Sequence, residues 1–314
     1  LKNKMNFKII ACIFATTRYN AKVNSFEKTV TTRLYMAKNC VTWILLRGWI
    51  RHHGHWFCFE KELAKYFQSK PIRSPLQVHT IDLLGNGQFC HYESPKRIVQ
   101  QSRHLQAQIR EADQGGPIYI IAVSMSSLVA LEALHSTACT HSEVGLCEVE
   151  HWHDRVAGMV LINPSARGLS TVFERLRPHA WPTLVKQIAW LRPKQLERDL
   201  VKLTVNNQRL CSLIIKQNQF FLQDFPISKR NALNQLISAA RFTLNNFPDI
   251  FPKAVLVLSS QGDHLVAWTC GARLAHRLGA HFALHPNAGH DLTTDASAWV
   301  LDQIDQWLER MNLP

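Results

Sequence analysis

Long apolar runs, paired cysteines and acidic residues are all scarce in this chain, and each scarcity removes a class of explanation. No apolar stretch approaches the ~20 residues needed to cross a bilayer, so no membrane span is expected. The eight cysteines are scattered singly, with no Cys-x-x-Cys pair. That argues against a disulfide framework and fits a reduced, cytoplasmic compartment. As a phosphate cradle the loop with Gly85 and Gly87 is weak, because no Lys-Ser/Thr pair follows it. Acidic side chains number 23 against 36 Lys and Arg, a formal net charge of +13. The excess is local. Residues 1–35 hold seven basic groups and one acidic, residues 164–250 thirteen and five, and the remainder is close to neutral. The basicity therefore belongs to a tail and one internal segment.

With 314 residues, 46% hydrophobic and 19% charged, the chain can bury one large core, or a core with an inserted subdomain. Lysines 2, 4 and 8 precede a short apolar run, Ile9 to Ala15, but Arg18 follows with no small-residue cleavage site, so a secretory signal is not favoured. Residues 1–35 are expected to be a poorly packed extension. Lys28 to Tyr35 offers an outer hairpin strand as the alternative, and Met36 an alternative start.

The most informative run is Pro117 to Leu134. Ile118 to Val123 is short, continuous and β-branched or aromatic, as a strand buried on both faces should be. Leu128, Leu131 and Leu134 follow at helical spacing. Between them stands Ser124, flanked by the small residues Ala122, Ser126 and Ser127. A serine on a sharp strand-to-helix turn is held in strained dihedrals, exposed, at a helix N-terminus whose free N–H groups favour a developing anion. An ordinary strand–turn–helix with a capping serine is the plain alternative.

Further strands are expected at Val41 to Leu46, Leu76 to Ile81, Arg155 to Asn163, Ala254 to Leu258 and His281 to Leu284. Helices are expected from Phe57 to Gln68, from Ser94-Pro95 to about Asp113, and from Thr294 to Met311. From Ala166 to Phe247 only helical patterns occur. The aromatics there (Trp181, Trp190, Phe220, Phe221) are expected mostly to pack, with one or two available to line a pocket. The basic residues of this segment suit a solvated face, or recognition of an anionic substrate or carrier. Two segments invite a metal reading: His52, His53 and His55, and the connection with Cys139, His141, Glu143, Cys147, His151 and His153. Neither has familiar ligand spacing, so a solvated turn and a surface loop are expected instead.

Five loops together give the clearest signal. The elbow around Ser124 resembles the Gly-x-Ser-x-Gly turn of the α/β-hydrolase superfamily, with Ala122 and Ser126 in the glycine positions. Leu45-Leu46-Arg47-Gly48-Trp49 resembles the Leu-Leu-His-Gly-Trp loop of pimeloyl-carrier-protein methyl ester esterases, with Arg47 in place of histidine. Asp82 to Gly87 resembles the Asp-x-x-Gly-x-Gly loop beside it. Ser260 to Val266 resembles the loop that carries the triad acid, Asp263, and Pro286 to His290 the loop that carries the triad histidine, His290. The order Ser124, Asp263, His290 is that of the superfamily.

The resemblance implies an α/β fold with a mostly parallel central sheet and helices on both faces. The core would be 36–165 and 251–314, and the inserted helical cap 166–250. It implies a serine hydrolase of carboxylic esters or thioesters, with Ser124 as nucleophile, His290 as base and Asp263 as orienting acid. The backbone N–H groups of Trp49 and Met125 would form the oxyanion hole. No cofactor, metal or nucleic-acid partner is implied. An acyltransferase or C–C hydrolase would use the same triad, and a non-catalytic relative would bind an acidic partner through its basic segments.

Overall fold

The computed structural model describes residues 40–70, 75–140, 152–190, 192–248 and 251–313. The N-terminal extension and its alternative strand lie outside these, as does most of the ligand-rich connection after residue 140. Six strands are present among the described residues: β1 Val41–Leu46, β2 Leu76–Ile81, β3 Ile118–Val123, β4 Val156–Ile162, β5 Ala254–Ser260 and β6 His281–His285. They form one sheet in the order β2-β1-β3-β4-β5-β6, and every pairing is parallel. The order reverses between β1 and β3, and open parallel sheets place their sites beyond the carboxyl ends of strands at such a switch.

The strands alternate sides residue by residue, and both sides are covered. Ile44 and Leu46 of β1 join Ile118, Ile120 and Ala122 of β3 in one core cluster. Trp43 and Leu45 join Tyr119 and Ile121 in the other. Trp43 stacks on Tyr119 at 4.8 Å between ring centroids and on Phe67 at 5.4 Å. This double burial is why β1 and β3 read as continuous apolar runs, each fully buried side chain contributing roughly 1.5–3 kcal/mol.

In chain order the helices are α1 Phe59–Gln68, α2 Ile98–Ala112, α3 Met125–Thr140 and the single turn α4 Trp152–Arg155. Between β4 and β5 come α5 Val172–Arg175, α6 Trp181–Trp190, α7 Pro193–Thr204, α8 Gln208–Phe221 and α9 Lys229–Arg241. After β5 follow α10 Trp268–Leu278, α11 Leu292–Asp295 and α12 Ser297–Arg310. Leu105 and Ile109 of α2, Leu128 and Leu131 of α3, and Leu274 and Leu278 of α10 cover one face of the sheet. Phe59, Leu63 and Phe67 of α1 meet Ile304, Trp307 and Leu308 of α12 on the other. The architecture is the α/β-hydrolase fold.

Three expected helices differ from those observed, the first beginning at Phe59 rather than Phe57. The helix expected from Ser94-Pro95 begins at Ile98, because Ser94 is committed elsewhere: its hydroxyl donates to Leu84 O at 2.5 Å and its N–H to Asn231 Oδ1 at 2.9 Å. The single C-terminal helix expected from Thr294 is broken at Ala296 into α11 and α12. Asp295, at the end of α11, accepts from the backbone N–H groups of Asn206, Asn207 and Gly289.

The segment between β4 and β5 contributes no strand to the sheet among the described residues; its five helices, joined by loops, meet the loops at the carboxyl end of the sheet. Helix α9 carries most of the seam. Gln235 accepts the Ile50 N–H at 2.9 Å and donates to Asn86 Oδ1 at 2.7 Å, while the Trp49 indole donates to Ala232 O at 2.8 Å. On α7, Glu197 is buried and holds the Arg51 guanidinium at 2.5 and 2.7 Å.

Candidate active site

β3 delivers Ser124 in the left-handed region, at φ +59°. Its N–H donates to Ile162 O at 2.7 Å, which fixes the turn against the end of β4. A bulky neighbour would block so tight a turn, and here the neighbours are small and bonded. The Ser126 hydroxyl lies 2.9 Å from both Leu46 O and Val123 O, and accepts the Val123 N–H at 2.9 Å. A serine in the usual glycine position thus links β1 to the elbow. Gly48 passes closest to the elbow: a Cβ there would lie 2.8 Å from Val123 O and 3.1 Å from the Ser124 Cβ. Only glycine fits without displacing backbone.

Asp263 is buried, and its carboxylate is fully engaged. Oδ1 accepts from Leu265 N–H at 2.6 Å and Val266 N–H at 2.9 Å, and Oδ2 lies 2.6 Å from His290 Nδ1. An acid held in this way fixes the imidazole orientation and leaves Nε2 for other partners. His290 and Ser124 line one cavity of about 50 Å³, together with Gly48, Trp49 and Leu265. Ser124, Trp49 and Leu265 also line a second cavity of about 250 Å³. There the core contributes Met125, Leu128 and Val266, and the helical segment contributes Val172, Leu184, Leu236 and Ala239. Neither Trp49 N–H nor Met125 N–H has a protein acceptor among the described residues. Met125 opens α3, whose first N–H groups are without intrahelical partners.

Several further residues hold this arrangement, and two of them, Asn163 and Arg177, belong to no motif. Asn163, at φ +46°, donates from Nδ2 to His290 O at 2.8 Å and accepts the Ser260 N–H at 3.0 Å. It thereby joins the acid strand to the histidine loop. Ser260 also donates from its hydroxyl to Ala288 O. Arg177 reaches from the helical segment to Asp263 O at 2.6 Å. Arg47 pairs with Asp291, the residue after His290, through contacts of 3.0 and 2.6 Å. Burial alone would raise the Asp291 carboxyl, but the Arg47 charge and hydrogen bonds outweigh it and hold the group below its ordinary value.

The histidine cluster is not the solvated turn expected. His52 and His55 are buried, in ring contact with Phe221, and His52 also with Phe225. The packing of the helical segment over this turn is what buries them. Burial drives His52 down to about 3, outweighing the opposing pull of Asp82. Hydrogen bonding to Asp82 at 2.7 Å has the opposite effect on His53 and raises it. Among the described residues no group of three or more His, Cys, Asp or Glu side chains could hold a metal ion. Of the aromatics singled out in the helical segment, Trp181, Phe220 and Phe221 do not line the larger cavity, Phe220 is exposed, and the Trp190 side chain lies outside the described residues. Trp181 stacks on Phe173, and Phe221 lies against the histidines.

A parallel sheet with a strained serine at its switch point and a buried Asp–His pair beside it defines a hydrolase-type α/β protein. Residues 44–303 match the family model described as the alpha/beta hydrolase family, and the chain belongs to that family. No curated protein sequence matches it significantly. Among solved structures it is similar to an esterase from Exiguobacterium antarcticum, with TM-score 0.64 and 11% identity over 85% of this chain and 91% of that one. A thermophilic esterase from Thermogutta terrifontis gives 0.61 and 17% over 86% and 90%. The RedJ thioesterase of prodiginine biosynthesis in Streptomyces coelicolor gives 0.54 and 10% over 85% and 86%. At these identities the likeness speaks for the fold. No helix among the described residues is long and apolar enough to cross a membrane.

Proposed function

We propose that the protein hydrolyses carboxylic esters through an acyl-enzyme on Ser124. The observation that carries this reading is that Ser124, strained at φ +59°, lines one cavity with His290, whose Nδ1 lies 2.6 Å from the buried Asp263 carboxylate. His290 takes the Ser124 proton as the hydroxyl attacks the acyl carbonyl, and Asp263 fixes the tautomer and stabilises the imidazolium. The carbonyl oxygen becomes an oxyanion that accepts from Trp49 N–H and Met125 N–H. Each such donor supplies about 2.7–4 kcal/mol of transition-state stabilisation. Collapse of the tetrahedral species expels the alcohol, which takes its proton from His290. A water activated by the same imidazole then releases the acid and frees Ser124.

The larger cavity, about 250 Å³ and mainly apolar, receives the acyl chain, roofed by the helical segment as a cap. At somewhat less than the roughly 300–1,000 Å³ of typical ligand pockets, it suits short chains. A thioester would follow the same route with a thiol leaving. The test is turnover of a short-chain p-nitrophenyl ester by the wild type and by Ser124→Ala, with circular dichroism as the fold control. The variant should be inert and folded. Equal inertness of both proteins across a broad ester panel would remove the catalytic reading and leave a non-catalytic hydrolase-fold protein.

A further inference from the structure

The larger cavity has one charged side chain in its lining, Arg175 of α5. Arg175 is half-buried. Its Nη2 donates to Ala239 O of α9 at 2.8 Å, and its fully buried Nε has no partner among the described residues. No described carboxylate forms an ion pair with it. The adjacent Glu174 is turned to other partners, capping its own helix at Thr171 and pairing with Arg273 at 2.8 Å. The ionisable groups near enough to influence Arg175 are the Cys270 thiol and a second cation, Arg167, while burial itself weakens its hold on the proton. Burial also pushes the Cys270 thiol up, so that it stays neutral. A guanidinium in an apolar cavity without a counter-ion is an expensive arrangement unless a ligand supplies the anion.

The other groups around the cavity narrow what that ligand can be. Ser124 stands at one wall, and Ser165 is the remaining hydroxyl in the lining; the rest is Leu, Val, Ala, Met and the Trp49 ring. Trp49 already uses its indole N–H on Ala232 O. A molecule that satisfies both the serine and the guanidinium therefore has an ester carbonyl at one end, an apolar middle and an anion at the other. A planar guanidinium is matched best by a carboxylate.

We propose that Arg175 is a specificity-determining residue that binds the far carboxylate of the acyl group, so that the preferred substrates are monoesters of short dicarboxylic acids. The inference rests on the reading of Ser124 as nucleophile, and the test separates the two. Mono-p-nitrophenyl esters of succinate, adipate and suberate are compared with neutral p-nitrophenyl esters of equal chain length. Wild type, Arg175→Met and Arg175→Lys are assayed.

One of the charged esters should exceed its neutral counterpart in kcat/KM. Arg175→Met should lower the ratio of charged to neutral kcat/KM roughly 10- to 100-fold, the range set by one hydrogen bond to a charged group. Arg175→Lys should recover part of the loss. Neutral esters preferred by the wild type, with a preference unmoved by Arg175→Met, would overturn the assignment and leave the nucleophile in place. If no ester is turned over, calorimetry of monomethyl succinate, adipate and suberate binding to the same proteins reads the arginine alone. Binding weakened by Arg175→Met supports the assignment, and binding that is absent or equal in both proteins overturns it.

Discussion

Arg47 and Asp291, 244 positions apart, meet in a two-pronged ion pair with contacts of 3.0 and 2.6 Å. One lies directly before Gly48 and the other directly after His290, so the pair ties the loop beside the elbow to the histidine loop. Thr293 adds a contact of 3.3 Å to the same guanidinium, and the Trp56 ring lies 4.9 Å beneath it. In this chain an arginine in the usual histidine position has become a strut between two loops.

Arg47→Met should therefore be costly. It leaves a mostly buried carboxylate, 14% exposed, without its buried cation, and removing one member of a buried pair typically destabilises by about 3–5 kcal/mol. Urea unfolding at neutral pH should show a loss of that order, and adding Asp291→Asn should recover a sizeable part. Because the folded Asp291 is held below its ordinary value, its stabilisation is present above about pH 3.9 and lost as pH falls through the folded value. The gap between wild type and Arg47→Met should narrow accordingly in acid. A loss under about 1 kcal/mol at neutral pH would contradict the strut.

A second pH dependence comes from His52. Its folded value of about 3 means that, below about pH 6.5, the unfolded chain binds a proton the folded chain refuses. Stability should fall with pH from that point, by up to about 1.4 kcal/mol per unit from this group, and level off near the folded value. His53, raised by Asp82, works in the opposite direction, so the comparison needs a variant. His52→Asn retains a side-chain acceptor for the Gly54 N–H, and should show a shallower slope between pH 6.5 and 4.5 in urea titrations. Parallel slopes would mean that the ring is solvated.

Asn163 should act on geometry more than on substrate affinity. Asn163→Ala removes the bonds to His290 O and Ser260 N together, and frees the histidine loop to shift. A displacement of about 1 Å at a reacting group can cost on the order of 100-fold. Ester hydrolysis should show kcat lowered by about 10- to 100-fold with KM little changed. An unchanged kcat would show that the loop is held without Asn163.

The parts of the fold that were legible in the sequence are those governed by local burial. β1, β2 and β3 have the expected bounds: β1 and β3 because strands walled on both sides must be apolar throughout, and β2, a partly exposed edge strand, because it runs into the glycine turn at Gly85. The elbow and the loop after β1 were legible because a strained turn, as at Ser124, and a close backbone approach, as at Gly48, both restrict residue choice. What could not be read depends on partners distant in sequence. Nothing local to Ser94 announces that Asn231 will claim its N–H and delay α2. Nothing near His52 announces Phe221 and Phe225, so a histidine-rich turn that looks solvated is buried. Arg175 was one of many basic residues in its segment, and only the cavity sets it apart. Asn163 looked like the end of a strand, and its two bonds form only once β4, β5 and the histidine loop are side by side.

The most direct test of the account is covalent labelling of the intact protein with a fluorophosphonate, followed by peptide mapping of the modified residue. The account predicts one modified site, Ser124, with labelling absent in Ser124→Ala and slowed about 100-fold or more in His290→Ala. A folded wild type that stays unlabelled, or carries the probe on a different serine, would contradict it.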